Sequence, residues 1–243
     1  MNNLTAEDYY NRGVVCGESE QYERAIEEFD KAIELNPDFF RAHKGRGLAY
    51  KNLGQFDKAI QDFTKAIELN PDYDEAYFNR GNVYNNSGQF EQAISDFSKA
   101  IELDPEYHDA YNNRGNAYAQ TNQFEAALQD YDKAIELFPN YSEAYNNRGN
   151  VYDELGEFDT AIQNFNKAIE LNPENFDAYN NRGVTYLKTE QFELALQDFN
   201  TSLKINPNYA RAYNNRSLCY NKMGNKPMAV FDFAKAKVRG WEG

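Results

Sequence analysis

Cysteine and histidine are scarce in this chain, and their placement argues against two classes of protein. The two cysteines, Cys16 and Cys219, lie too far apart to bridge, so no disulfide framework is expected. His43 and His108 have no nearby Cys or His at metal-ligand spacing. The sequence also lacks a P-loop, a dinucleotide fingerprint and a nucleophile elbow. We therefore expect no metal, no cofactor and no intrinsic catalysis.

Basic residues and long apolar runs are also in short supply. The chain has 25 Lys and Arg against 39 Asp and Glu, a net charge of −14, whereas a nucleic-acid binder needs a basic face. No apolar stretch approaches the length that spans a membrane, and the first residues show no basic region followed by an apolar run. These features predict a cytoplasmic protein that neither binds nucleic acid nor inserts into a membrane.

What the sequence does contain is a block of 34 residues that recurs seven times without a gap. The units are residues 6–39, 40–73, 74–107, 108–141, 142–175, 176–209 and 210–243. A repeat of this length cannot bury its apolar face alone and must stack on its neighbours. We therefore predict a single stacked domain over residues 6–243, preceded by an N-terminal extension of residues 1–5.

Each unit carries the pattern of a helical hairpin. In the third unit, Ala76, Tyr77, Gly81 and Tyr84 fall on one helical stripe, which Gly88 ends. A second stripe at helical spacing comprises Phe90, Ala93, Ile94, Phe97, Ala100 and Ile101. Proline then stops the second helix, because the residue before a proline is pushed out of the helical conformation. The unit is therefore predicted to be helix–turn–helix.

Small and aromatic residues recur at fixed offsets within the units. In the fifth unit the run is Tyr145, Gly149, Tyr152, Ala161, Phe165, Ala168 and Pro173. This run resembles the pattern of the tetratricopeptide repeat family, and the resemblance covers residues 6–243. It implies an all-α fold, a right-handed superhelical α-solenoid whose first helices line a concave groove.

One position departs from the family pattern, because arginine replaces the apolar residue before the recurrent glycine. The arginines are Arg12, Arg46, Arg80, Arg114, Arg148, Arg182 and Arg216. A second-helix position is acidic in six units, at Glu28, Asp62, Asp96, Asp130, Asp198 and Asp232, with Asn164 in the remaining unit. A partly buried guanidinium needs a partner, so we predict that the two positions face each other as a structural ladder. The alternative is a row of arginines that binds a polyanion.

Asparagine is enriched on one face of the first helices, although it is a mediocre helix former. The candidate groove residues are Asn79, Asn82, Asn113, Asn116, Asn147, Asn150, Asn181 and Asn215. An amide offers both a donor and an acceptor, which can pair with the backbone of an extended peptide. The arrangement is similar to the asparagine ladder in the repeat arm of O-linked N-acetylglucosamine transferase. The alternative is a hydrogen-bonded lining that binds nothing in particular.

Charged residues at other groove positions suggest the character of the ligand. Acidic side chains, Glu75, Asp109, Glu143 and Asp177, occupy the central units. Basic side chains lie toward the ends, at Arg41, Lys44, Lys51, Lys188, Arg211 and Lys222. We therefore expect an extended peptide or protein segment with a basic or polar centre.

A chaperone-binding carboxylate clamp is not expected. In members of the family that carry this clamp, lysines, asparagines and an arginine on three successive first helices hold a C-terminal carboxylate. Lys44 and Asn79 match two of these positions, whereas Leu48, Asp109 and Asn113 replace the other three. Recognition of an EEVD-type tail is therefore improbable.

The sequence thus favours a non-catalytic adaptor that holds an extended partner segment in an asparagine-lined groove. Two alternatives remain open at this point. One is a structural protein that assembles into homo-oligomers, and the other is the recognition arm of a larger enzyme.

Overall fold

The regular structure of the chain is helical throughout. The computed structural model describes residues 4–242, so residues 1–3 of the predicted N-terminal extension lie outside the described part. The helices are α1 (Ala6–Glu18), α2 (Tyr22–Leu35), α3 (Phe40–Asn52), α4 (Phe56–Leu69), α5 (Asp74–Asn86), α6 (Phe90–Leu103), α7 (His108–Gln120), α8 (Phe124–Leu137), α9 (Ser142–Glu154), α10 (Phe158–Leu171), α11 (Phe176–Lys188), α12 (Phe192–Ile205), α13 (Ala210–Lys222) and α14 (Lys226–Val238). Each predicted repeat contains two of them, which confirms the all-α class and the seven helical hairpins.

The chain divides into two compact units, Met1–Gln123 and Phe124–Gly243. In the first unit each helix packs on the helix before it and the helix after it, and α1, α3, α5 and α7 also touch in succession. The second unit repeats this arrangement, with α9, α11 and α13 in succession. Within each unit the first helices of neighbouring repeats are therefore side by side. The single domain predicted from the sequence stays a prediction.

The hairpin turns depend on one residue in the left-handed backbone region. Gly88 has φ of 73° between α5 and α6, a conformation that costs glycine little. Asn122 takes the same place before α8 with φ of 58°, and asparagine tolerates this region better than most residues. At the other end of the hairpin, Asp104 precedes proline and is extended, with φ of −128° and ψ of 95°. Turn and stop signals thus fix both helix boundaries.

The core of the hairpins before the last one contains an aromatic ring at a recurrent position, which packs on a glycine. The ring position is at most 3% exposed in six repeats, at Phe29, Phe63, Phe97, Tyr131, Phe165 and Phe199. A Cβ atom added to Gly81 would lie 2.8 Å from Cε1 of Phe97, which is closer than a Cβ can approach. In the last repeat the same position is Phe233, which is 45% exposed. The recurrent glycine is therefore a packing requirement of the hairpin.

Two glycine substitutions should separate packing from helix propensity. Gly81→Ala forces the Phe97 ring to move, and we expect a loss of about 1–3 kcal/mol in the free energy of unfolding. Gly17→Ala, in α1, places a Cβ where no atom lies within 4 Å. It should stabilise the protein by up to about 1 kcal/mol, because alanine favours the helix. Urea unfolding of both variants measures the difference, and equal effects would contradict the packing argument.

Candidate functional site

Five of the predicted ladder arginines each tie together three helices: Arg46, Arg80, Arg148, Arg182 and Arg216. Arg80 of α5 donates from Nε and Nη2 to the two carboxylate oxygens of Asp96 on α6, both at 2.7 Å. Its remaining nitrogen, Nη1, donates to Oγ1 of Thr64 on α4 at 2.9 Å. We call this arrangement an arginine clamp: an arginine bound by the side chains 16 residues after it and 16 residues before it. Charge-assisted bidentate bonds of this kind are among the stronger polar contacts in proteins.

The clamp recurs in both compact units. Arg46 binds Asp62 and Asp30, Arg182 binds Asp198 and Asn166, and Arg216 binds Asp232 and Asn200. Arg148 donates to the amide oxygen of Asn164 at 2.8 Å and to Asp132, so an amide takes the place of the carboxylate there. Arg114 donates to Ser98 at 3.0 Å, and Asp130 is buried on α8.

The partner that precedes each arginine was missed at the sequence level. It lies two residues after the acidic position and is polar in six repeats, at Asp30, Thr64, Ser98, Asp132, Asn166 and Asn200. The last repeat has Ala234 there. The residue type varies, so no single amino acid marks the position, but its constant polarity on a second helix was a usable signal.

Tyrosine rings flank the clamp and shield it from water. The guanidinium carbon of Arg80 lies 5.8 Å from the centroid of the Tyr77 ring and 5.9 Å from that of Tyr84. Arg182 lies at nearly the same distances from Tyr179 and Tyr186. A cation near the face of an aromatic ring is stabilised electrostatically, more so when water is excluded. The arginines are thus held between repeats, which disfavours the alternative that they form a row for a polyanion.

His43 changes the electrostatics of one clamp. In the other clamps with a buried aspartate, a tyrosine precedes the arginine by three residues, whereas in α3 this residue is His43. Its Nδ1 lies 3.4 Å from Oδ1 of Asp62. Burial alone would raise the pKa of Asp62, but the bonds from Arg46 and His43 outweigh it and lower that pKa below 3.8. At Asp198, which has no such histidine, burial prevails over the bonds from Arg182 and raises the pKa.

Three candidate groove asparagines of the second unit, Asn147, Asn181 and Asn215, are linked through buried asparagines. Asn215 donates to the amide oxygen of Asn180 at 2.9 Å, and Asn180 donates to Asn181 at 3.2 Å. Asn181 in turn donates to Asn146 at 3.1 Å, and Asn146 lies 3.4 Å from Asn147. The chain of amides therefore crosses three repeats, alternating between a buried and a half-buried asparagine.

A shorter chain of hydrogen-bonded amides runs through the first unit. Asn112 donates to the amide oxygen of Asn113 at 3.1 Å, and Asn113 donates to Asn82 at 2.8 Å. Asn79 instead donates to the backbone carbonyl of Glu75 in its own helix, at 2.7 Å. We call the amide chains of the two units the asparagine rows. A primary amide has two N–H donors and two acceptor lone pairs, so these bonds leave part of its capacity unused.

The buried members of the rows were not among the candidate groove residues. Asn112, Asn146 and Asn180 are 4%, 8% and 0% exposed, and they hold the neighbouring half-buried amides in place. Asn116 and Asn150, one turn further along α7 and α9, are also half-buried. The adjacent pairs of asparagines in the sequence hinted at two roles, because consecutive helical residues point to different neighbours.

Three of the predicted basic groove residues have a carboxylate partner, which in one case is a predicted acidic groove residue. Glu75 accepts from Nζ of Lys44 at 2.7 Å, and Glu7 binds Arg41 at 3.0 Å. Asp153 binds Lys188. Two of the acidic positions lie close to a tyrosine or a histidine. Burial and the nearby Asp177 raise the pKa of Tyr209, and Asp109 lies 3.6 Å from His108. Glu143 is exposed.

Residues 4–242 contain neither a metal-binding group of side chains nor a membrane-spanning helix. No group of three or more His, Cys, Asp or Glu side chains in this range could hold a metal ion. Within the same range, every helix is too short or too polar to cross a membrane.

Comparison with known sequences places repeats throughout the chain. A family model described as "TPR repeat" matches residues 13–54, 81–122, 115–156 and 149–190. Models described as "Tetratricopeptide repeat" match residues 40–73 and 176–209, and also 63–95 and 199–231. An uncharacterized protein of Methanocaldococcus jannaschii is 46% identical over 48 residues, which is 20% of this chain and 56% of that protein.

Solved structures with the same fold cover most of the chain. A tetratricopeptide repeat protein from Parabacteroides merdae has a TM-score of 0.83 at 22% identity, over 98% of this chain and 94% of that one. A chain of the APC/C hetero-tetramer Cut9-Hcn1 matches with a TM-score of 0.81 at 20% identity. The match covers 99% of this chain and 47% of that one. YrrB, described as a TPR protein with an unusual peptide-binding site, has a TM-score of 0.59 at 29% identity, over 76% of this chain and 95% of YrrB.

Removing the acceptor of one arginine clamp should lower the free energy of unfolding in proportion to the number of hydrogen bonds lost. Asp96→Ala leaves the Arg80 side chain, which is 16% exposed, without its bidentate partner. We expect a loss of about 3 kcal/mol in the free energy of unfolding. Asp96→Asn keeps one acceptor, as Asn164 does for Arg148, and should cost about 1 kcal/mol. Denaturant unfolding of the two variants checks this order. An Asp96→Ala variant as stable as the wild type would contradict a structural role for the clamp.

The lowered pKa of Asp62 predicts sensitivity to acid. A carboxylate with a folded-state pKa below its unfolded value stabilises the fold above about pH 4, and this stabilisation is lost as the pH falls through the folded pKa. The thermal midpoint of Asp62→Asn should therefore fall less between pH 6 and pH 3 than that of the wild type. Asp198→Asn is the matched control, because the pKa of Asp198 is raised. In Asp198→Asn the thermal midpoint should fall at least as steeply with pH as in the wild type. An equally shallow fall of the thermal midpoint in both variants would contradict the argument.

Proposed function

The chain belongs to the tetratricopeptide repeat family, and we propose that it is a non-catalytic adaptor that holds an extended partner segment along its asparagine rows. The observation that carries this proposal is the chain of amides from Asn147 to Asn215. Asn181 and Asn215 are half-buried, and the buried Asn180 holds both amides in place while part of their hydrogen-bonding capacity is left for a ligand. An extended peptide presents alternating N–H and C=O groups, which such amides can pair with.

The fixed amides favour binding because less conformational freedom is lost. A free asparagine side chain on a helix surface would have to be ordered when the ligand binds, which costs free energy. Here Asn180 is fully buried and positions both Asn181 and Asn215 before any ligand arrives. Each hydrogen bond to the ligand adds only ~0.5–1.5 kcal/mol, so useful affinity requires several amides at once. A ligand extended along the row satisfies this requirement.

Charge favours a partner segment that is basic or polar where it crosses the rows. Glu143 is exposed at the start of α9. The basic residues predicted toward the ends of the groove are partly engaged, since Lys44 and Lys188 have carboxylate partners. Leu48, Asp109 and Asn113 replace three residues of the chaperone-binding carboxylate clamp, which argues against an EEVD-type tail as the ligand. YrrB, with its reported peptide-binding site, is consistent with a peptide ligand for this chain.

Removing three row amides should release groove ligands selectively. We propose affinity purification with the wild type and with a variant that carries Asn113→Ala, Asn147→Ala and Asn181→Ala. The triple variant should lose at least about tenfold in affinity for groove partners, because three hydrogen bonds of ~0.5–1.5 kcal/mol each are removed. Mass spectrometry of the bound proteins, followed by titration of each partner, gives the measurement.

The control removes three amides away from the rows. Asn36, Asn140 and Asn208 are exposed in the connections between repeats, and their replacement by alanine leaves the rows intact. Partners retained by this control and lost from the row variant are groove ligands. A partner list that is the same for all three proteins would overturn the proposed function. Thermal unfolding of each variant distinguishes loss of binding from loss of the fold.

A further inference from the structure

A cavity opens between the first helices of the first two repeats, away from the asparagine rows. It has a volume of about 330 Å³ and lies between α1 and α3, with α2 at its base. Its apolar lining includes Tyr10, Val14, Tyr22, Phe29 and Leu48. The volume lies within the range of ~300–1,000 Å³ that is typical of ligand pockets. None of the sequence-predicted groove asparagines contributes to this lining.

Two glycines line the cavity at positions where other repeats carry side chains. Gly45 occupies the position of Asn79 and Asn113, and a Cβ there would lie 2.6 Å from the Phe29 ring. The ring therefore fills space that an asparagine side chain would need. Gly17 lies on the cavity wall, and a Cβ there would meet no atom within 4 Å. The equivalent residue in the sixth repeat is Leu187, so the helix position accepts a large side chain.

The apolar character of the cavity distinguishes these repeats from the three that follow. Val14 and Leu48 occupy the position that is Asn82, Asn116 and Asn150 in the next three repeats, and the position is apolar again at Val184 and Leu218. At this position the first helices thus present an apolar surface in repeats one and two and an amide surface in repeats three to five. A ligand that contacts both surfaces would need different chemistry at the two places.

The charged residues of the cavity lining are Glu18 and Lys44. A lysine just outside this lining has no carboxylate partner among the described residues. Lys51 is one helical turn beyond Leu48 on α3 and is half-buried. Its pKa is lowered by burial alone, and no ion pair among the described residues includes it. The other basic groups of α3 are engaged, since Lys44 binds Glu75 and Arg41 binds Glu7. A half-buried ammonium group is therefore available to an incoming anion.

We propose that this cavity takes a bulky apolar side chain, such as phenylalanine or leucine, from a partner segment, and that Lys51 binds an acidic side chain next to it in the same segment. The proposal rests on the proposed function, because it assigns one end of the extended ligand. It adds an anchor that the amides alone do not provide. Apolar side chains that fill a pocket usually dominate the affinity of such contacts, while the hydrogen bonds around them set the register.

A display experiment can test the anchor directly. The probe is a phage-displayed library of random 12-residue peptides, selected on the full-length chain. We expect the enriched peptides to share a bulky apolar residue beside Asp or Glu. Gly17→Leu fills the cavity and should reduce the affinity of these peptides by about tenfold or more, as loss of a buried anchor does. Gly17→Ala, which is too small to fill the cavity, should bind them as the wild type does.

Two variants of Lys51 test the expected preference for Asp or Glu in the peptides. Lys51→Gln should reduce the affinity of the same peptides about threefold to tenfold and abolish the selection of Asp or Glu. Lys51→Arg should retain both, because it keeps the positive charge. Thermal midpoints close to that of the wild type show that the variants are folded.

The outcomes distinguish this inference from the proposed function. If the enriched peptides lack the apolar–acidic pair, or bind Gly17→Leu as tightly as the wild type, the anchor is overturned, while sensitivity of the same peptides to the asparagine-row variant would keep the adaptor proposal. If the wild type enriches no peptide and the row variant loses no partner, both proposals fail.

Discussion

A guanidinium shared by three helices is the interaction on which the packing of each compact unit depends. In the clamp of Arg80, one side chain joins α5 to the helix that completes its own hairpin and to the last helix of the preceding hairpin. The hydrophobic core alone would let neighbouring hairpins slide, since its contacts are not directional. Bidentate bonds to Asp96 fix the distance and the angle, and the tyrosine rings on either side exclude the water that would weaken them.

The clamp also determines which face of the first helices is left for binding. Asn181 and Arg182 are adjacent in sequence, yet one joins an amide row and the other joins second helices. Because the positive charge is directed into the helix packing, the row that we propose as the ligand-binding surface is made of neutral amides. A neutral, prearranged row suits a backbone-reading adaptor better than a surface selective for one charge.

Much of the fold and part of the site could be predicted from the sequence. Helix ends followed from Gly88 and from the residue before each proline, and the pairing of Arg80 with Asp96 followed from two positions that recur together. The preceding clamp partner escaped notice because it changes identity between repeats. The direction of the amide bonds could not be predicted, since it depends on side-chain orientation. The cavity beside Gly17 could not be predicted either, because a sequence pattern records which residues recur and does not show where a small residue leaves space unfilled.

The fixed offsets of the clamp have a consequence for how such a chain can change over evolutionary time. Every described clamp draws its partners from 16 residues before and 16 residues after the arginine. Duplication or deletion of a whole 34-residue unit therefore restores the same neighbours at the new junction. An insertion of a few residues inside a unit would instead displace one partner from its arginine. Repeat number is thus free to drift by gene duplication, while repeat length is held constant.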